Sequence, residues 1–227
     1  MADKSLQDKE KKLAAEKAVE YIENGMTVGL GTGSTVYFAI RKLGEKVKQG
    51  LKIKAVSSSN VSTDLARSSG IEPVSIDDAG EIDINIDGAD EADRDFNGIK
   101  GGGGALLFEK IVALNSGRNI WIVDSGKLVK TLGKFPLPVE VIPFGHKGVL
   151  KILEEYNPVI RKRGDSYYKT DSGNLIFDLN MNRINDPLAL DMELKQITGI
   201  VETGLFINIA DTIIIGKENS TEVLFKK

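Results

Sequence analysis

Four times before residue 128, a short apolar run stops at a polar or glycine-rich loop, and after the first three the chain returns to helical spacing. The runs are Met26–Leu30, Lys52–Val56, Ile82–Ile86 and Asn119–Val123. The loops after them read Gly31-Thr32-Gly33-Ser34-Thr35, Ser57-Ser58-Ser59-Asn60, Asp87-Gly88-Ala89-Asp90 and Asp124-Ser125-Gly126-Lys127. Ile82, Ile84 and Ile86 alternate with polar residues, the period of a strand. Helices are predicted over Val36–Val47, over Ser62–Ser69 and onward from Ala105. Serial strand-helix alternation of this kind makes a doubly wound, mostly parallel Rossmann-like sheet, an α/β fold whose ligands sit at the C-terminal ends of the strands. A further amphipathic helix, Asp3–Asn24, carries Leu13, Ala14, Ala18, Val19 and Ile22 on its apolar face.

The pattern changes at the stiff connector Phe135-Pro136-Leu137-Pro138. Beyond it the chain predicts a strand (Val139–Phe144), a helix (Lys147–Tyr156), two strands (Val159–Arg163 and Leu175–Asn180), a helix (Pro187–Ile197) and a strand (Ile200–Leu205). That β-α-β-β-α-β order is the ferredoxin-like split unit. The β-branched run Thr212–Ile215 then rejoins the first sheet. The expected organisation is a catalytic domain of residues 1–134 and 206–227, interrupted by a smaller α+β domain of residues 135–205.

Composition narrows the chemistry. The chain has 227 residues, a net charge of −3, no cysteine and one histidine, His146. Disulfides, thiolate nucleophiles and cysteine metal sites are excluded, and a histidine-rich metal site or a Ser-His-Asp triad lacks its parts. The charge gives no reason to expect a nucleic acid. With no long apolar run and no leader-like segment, a soluble cytoplasmic protein without membrane contact is expected. His146 reads as a surface or cap residue.

The densest chemistry lies in Ile84–Glu109. A strand end carries Asp87 and Asp90; Lys100 and four glycines, Gly101–Gly104, follow, and a helix containing Glu109 comes next. Glycines reach φ > 0 and let backbone N–H groups converge on ligand oxygens. Glu109 on a wet helix face would be an ordinary solvated charge; turned inward, it is a candidate base that takes a proton from carbon. The Thr32–Thr35 loop is a second anion cradle, since it precedes a helix N-terminus and is rich in hydroxyls. The G-x-G-x-x-G template needs glycine at position 34, where Ser34 stands, so a small phosphate monoester fits better than a dinucleotide. Lys11 or Lys12 has the reach to join it.

The segments GLGTGSTV, SSS, DGADE, IKGGGGALLFEKI, VDSGKLV and LGKFPLPVEVIPF, in this order, resemble the ribose-5-phosphate isomerase family of the A type. The resemblance spans nearly the whole chain, and DGADE followed by KGGG is its most specific part. It implies a metal-independent aldose-ketose isomerase without cofactor, acting on a small sugar phosphate in the pentose phosphate pathway, usually as a homodimer or homotetramer. Carried over, the family's substrate-binding positions fall on Thr32, Gly33, Ser34 and Thr35, on Asp87, Gly88, Ala89 and Asp90, and on Lys100, Gly101, Gly102, Gly103 and Lys127. Its general base falls on Glu109, and Asp87, Asp90 and Lys100 are the other catalytic candidates. Gly104 departs from the alanine of many relatives. Alternatives are another enzyme on a similar sheet, either a CoA transferase or an aminosugar-phosphate isomerase-deaminase, which usually needs a histidine, and, from a different class, a non-catalytic sugar-phosphate-binding regulator, which would ordinarily need a DNA-binding module.

Overall fold

The computed structural model describes residues 4–227; the expected helix start at Asp3 lies outside the described residues. The chain divides into two compact units. One comprises everything described up to Ala89 together with Phe108–Leu128 and Ile209–Lys227, and the other comprises Asp90–Leu107 and Val129–Asn208. Whereas the sequence drew its second domain over 135–205 alone, Asp90–Leu107 belongs to this second unit. Backbone pairing is the reason: Glu91–Ala92 and Gly98–Ile99 form a small antiparallel sheet with Leu205–Phe206.

The first unit is built on a six-stranded sheet. Its spatial order is Ser220–Phe225, Thr212–Lys217, Asn119–Asp124, Ile84–Gly88, Thr27–Leu30, Lys54–Ser57. Every neighbouring pair is parallel except the terminal hairpin of Thr212–Lys217 with Ser220–Phe225. Thr27–Leu30 and Asn119–Asp124 are buried along their whole length, as strands covered by helices on both faces must be. Helix Ser34–Lys48 buries Val36, Ala39, Ile40 and Leu43, one stripe at helical spacing. Helix Lys4–Val19 packs against it and against the sheet, burying Ala14, Ala15 and Ala18, small residues that allow close approach. Because the chain leaves Thr27–Leu30 toward one edge and returns on its other side at Ile84–Gly88, the strand order reverses between these two strands. Their C-terminal ends form the switch point where open α/β sheets bind ligands.

The second unit holds a four-stranded antiparallel sheet in the order Ile200–Thr203, Leu137–Val141, Leu175–Leu179, Pro158–Ile160. In chain order this is 4-1-3-2, with helices His146–Ile152 and Pro187–Lys195 in the two crossovers, as a β-α-β-β-α-β unit requires. Its core gathers Val139, Val141, Leu153, Phe177, Leu179 and Leu194.

Several predicted limits move. The expected strand to Phe144 ends at Val141, and Phe144 is 90% exposed. Ile82 lies outside its strand, in an isolated bridge to Ser116. The expected strand Ile200–Leu205 breaks at Gly204, where a Cβ would lie 2.4 Å from the Lys100 carbonyl oxygen, and Leu205–Phe206 passes to the small sheet. No described helix is long and apolar enough to cross a membrane.

One buried carboxyl makes a stability prediction. Glu140, in the second unit's sheet, accepts hydrogen bonds at Oε1 from Thr170 Oγ1 and Asn174 Nδ2, both at 2.9 Å, while its buried Oε2 has no partner. Burial pushes its pKa up, against the two hydrogen bonds. The folded state therefore holds this proton at a pH where the unfolded chain has released it, and stability falls as pH rises from the ordinary glutamate value through the raised one. Glu140→Gln, which stays neutral, is expected to be favoured over wild type more at pH 7.5 than at pH 4. Melting temperatures read this directly, at about 2–4 °C per kcal/mol for a chain of this size; an equal difference at both pH values contradicts it.

Candidate active site

In the first unit, the candidate residues begin with a close approach. Gly31 follows strand Thr27–Leu30, and a Cβ there would lie 1.9 Å from Asp87 Oδ1, so only glycine lets the carboxylate sit against the loop. Asp87, at the end of the next strand, is 1% exposed. Its Oδ1 accepts the N–H groups of Thr32 at 3.1 Å and Gly88 at 2.7 Å. The switch point thus carries a carboxylate oriented by two backbone donors.

Thr32 is tied into a hydroxyl cluster. Its Oγ1 lies 3.0 Å from Ser58 Oγ, 2.8 Å from Ser59 Oγ and 3.2 Å from Ser62 Oγ, and Ser62 Oγ donates to the Gly31 carbonyl at 2.6 Å. Ser58, Ser59 and Ser62 were absent from the expected site; the run of serines at a strand end was the signal for the first two, whereas Ser62 read only as the start of a helix. Gly33 and Ser34 are exposed and Thr35 is buried. Gly33 N-caps the fifteen-residue helix without a side-chain bond, so the helix N-terminus stays open to an anion.

Lys127 closes a short turn, Ser125–Lys127, pinned from two sides. Asp124 Oδ1 accepts the Gly126 N–H at 3.1 Å, while Glu10 Oε2 accepts the Ser125 N–H at 3.0 Å and its hydroxyl at 2.8 Å. Gln7 Nε2 donates to Asp124 Oδ2 at 3.2 Å. Of the two N-terminal lysines, Lys11 is buried and lies 3.8 Å from Asp8, whereas Lys12 is exposed and lies 3.9 Å from Glu16.

Glu109 lies in the first turn of helix Leu106–Leu114 and is 3% exposed. The neighbouring Lys110 is also buried, whereas Phe108, Ile111 and Leu114 face outward, Leu114 with 68% exposure. The helix buries Leu106, Val112 and Ala113 in the ordinary way, but it also covers two charged residues while leaving three large apolar ones outside, against the common trend. A buried carboxylate is uncommon, which makes Glu109 a functional-site candidate.

The second unit carries Asp90, Lys100 and the glycines. Asp90 Oδ2 accepts the Gly102 N–H at 2.7 Å. Lys100 is 2% exposed; its Nζ lies 5.2 Å from the centroid of the Phe206 ring, and its backbone N–H donates to the Gly204 carbonyl at 2.9 Å. Gly101 has φ +103, a left-handed conformation that other residues rarely adopt. Gly102 and Gly103 are exposed, so the loop presents backbone to its surroundings. His146, at the start of its own helix, contacts the Pro143 carbonyl through Nδ1 at 2.8 Å and stands edge-on to Tyr167. Among the described residues, no group of three or more His, Cys, Asp or Glu is arranged to hold a metal ion.

An open, mostly parallel sheet with polar loops at its switch point, followed by a helix that buries a glutamate, is the architecture of a ligand-binding α/β protein. Residues 54–220 match the family model described as ribose 5-phosphate isomerase A (phosphoriboisomerase A). The chain is 51% identical over 221 residues to the ribose-5-phosphate isomerase A of Lactiplantibacillus plantarum, covering 96% of this chain and 97% of that one. It is also similar to a solved D-ribose-5-phosphate isomerase in complex with phospho-erythronic acid, with a TM-score of 0.92, 41% identity, and 96% and 98% of the two chains covered. The ribose 5-phosphate isomerase of Plasmodium falciparum superposes with a TM-score of 0.93 at 36% identity, covering 97% of this chain and 99% of that one. The chain belongs to the ribose 5-phosphate isomerase A family, a family of isomerases.

Proposed function

We propose that this protein interconverts D-ribose 5-phosphate and D-ribulose 5-phosphate through a cis-enediolate, with Glu109 as the base. Beside the family, the observation that carries this reading is the burial of Glu109, 3% exposed, on a helix that leaves Phe108, Ile111 and Leu114 outside. Asp87 and Asp90 open the sugar ring. Glu109 takes the C2 proton of the open-chain aldose; the C2–H electrons form the C1–C2 double bond, and the carbonyl electrons move to O1. Lys100 and glycine N–H groups hold that oxyanion. The aspartates relay the O2 proton to O1, the carbonyl forms at C2, and Glu109 returns its proton to C1. The Thr32–Thr35 loop and Lys127 hold the phosphate. The complex of a 41%-identical relative with phospho-erythronic acid supports a sugar-phosphate ligand. A cytoplasmic homodimer or homotetramer is part of the same proposal.

The direct test follows ketose formation from ribose 5-phosphate with and without EDTA. Ribulose 5-phosphate is expected at an unchanged rate in chelator; loss of activity restored by a divalent ion contradicts the metal-independent mechanism.

Lys127→Ala tests the phosphate assignment. Binding common to ground and transition states is lost, so KM is expected to rise about tenfold or more while kcat changes little, the pattern of uniform binding. An unchanged KM, or equal turnover of ribose and ribose 5-phosphate, is the contrary result.

A further inference from the structure

We infer that Arg161 is a positioning residue for the glycine loop, holding its peptides so that the Gly102 and Gly103 N–H groups turn toward the ligand side. The inference rests on the proposed function and adds to it a residue that touches neither substrate nor reacting atoms.

Arg161 follows strand Pro158–Ile160, and its backbone is fixed on both sides: its N–H donates to the Ile176 carbonyl, and its carbonyl accepts from Tyr168, both at 2.9 Å. The guanidinium works in two directions. Nε and Nη2 grip the Asp178 carboxylate bidentately, with Nε 2.9 Å from Oδ2. Nη1 donates to the carbonyl oxygens of Gly101 at 2.9 Å and Gly102 at 3.1 Å. Tyr168 adds a third bond, from its hydroxyl to the Gly103 carbonyl at 3.2 Å. Three consecutive glycine carbonyls are thus held by side chains sixty or so residues away.

A trans peptide points its C=O and the next N–H in opposite directions, and no peptide bond described is cis. Drawing the Gly101 and Gly102 carbonyls onto Arg161 therefore turns the Gly102 and Gly103 N–H groups away from it. The Gly102 N–H meets Asp90 Oδ2, a catalytic candidate, so the two faces of one peptide connect Arg161 to Asp90. Four successive glycines sample both signs of φ almost equally, and a loop that had to reorganise for each turnover would lose preorganised stabilisation of the oxyanion. A structural ion pair with Asp178 needs only Nε and Nη2; the remaining donor does a different job. Lysine cannot replace it, because a compact ammonium lacks the fork that serves a carboxylate and two carbonyls at once.

Arg161→Lys, Arg161→Ala and Glu109→Gln are to be compared with wild type. For Arg161→Lys, kcat is expected to fall about 10- to 100-fold, the scale of a small misplacement of reacting groups, with KM changed less than about threefold and melting temperature nearly unchanged. Arg161→Ala should fall further and recover part of its kcat on addition of ethylguanidinium. Hydrogen exchange at the Gly102 amide and at the Gly104 amide, which donates to the Gly101 carbonyl at 2.9 Å, measured without substrate, should quicken at least about tenfold in Arg161→Lys. Retained kcat, or unchanged exchange at those amides, overturns the positioning role. Exchange reports on the loop whether or not ribose 5-phosphate is turned over; failure of the functional reading appears separately, as wild type inert on ribose 5-phosphate or Glu109→Gln fully active.

Discussion

Glu109→Gln is expected to lower kcat by roughly 10²–10⁴-fold, the usual contribution of a positioned general base, with KM close to that of wild type. The amide preserves length and hydrogen-bonding reach, so the loss reads the missing base alone. Burial makes the test decisive: a glutamate that is 3% exposed is not replaced by solvent when it is lost. A second observable comes from D₂O. Wild type should place deuterium at the exchanging carbon whenever the protonated glutamate trades with solvent before returning its proton, and the variant should place almost none. Near-normal turnover in the variant moves the base to Asp87 or Asp90.

Lys100→Met is expected to cost about 10²–10³ in kcat, the scale of removing one donor from an oxyanion site. Methionine keeps the length and apolar stem of the buried lysine, which lies over the Phe206 ring, so folding should survive and circular dichroism should match wild type. A variant within threefold of wild-type kcat removes Lys100 from the chemistry and leaves the oxyanion to backbone N–H groups.

Much of the sheet was legible because each strand ends at its own loop, and apolar runs stopping at glycine or serine are visible without tertiary information. The hairpin partner Ser220–Phe225 was missed: it is half-exposed along most of its length and shows no clean alternation. The burial of Glu109 could be posed as a question but not answered, since Leu106, Phe108, Ile111 and Leu114 are equally apolar in sequence and differ only in what covers them. Ser58 and Ser59 could be seen in a polar loop and Ser62 at a helix start, but their bonds to Thr32 arise only once two parallel strands lie side by side. Arg161 left no trace in the sequence, because its partners are backbone carbonyls that any glycine would offer.

The strand order also sets a schedule. Thr212–Lys217 pairs with Asn119–Asp124, yet the chain between them, Val129–Asn208, belongs to the other unit. A ribosome therefore delivers all of the second unit before the first receives its fifth parallel strand. The ferredoxin-like sheet can close over short crossovers, while the larger sheet must bring its ends together across everything made in between, a long loop whose closure is opposed by entropy. Until then Asn119–Asp124 waits with one edge unpaired, and its Asn-Ile-Trp-Ile-Val-Asp sequence makes that edge the stretch of the nascent chain most in need of protection from other chains.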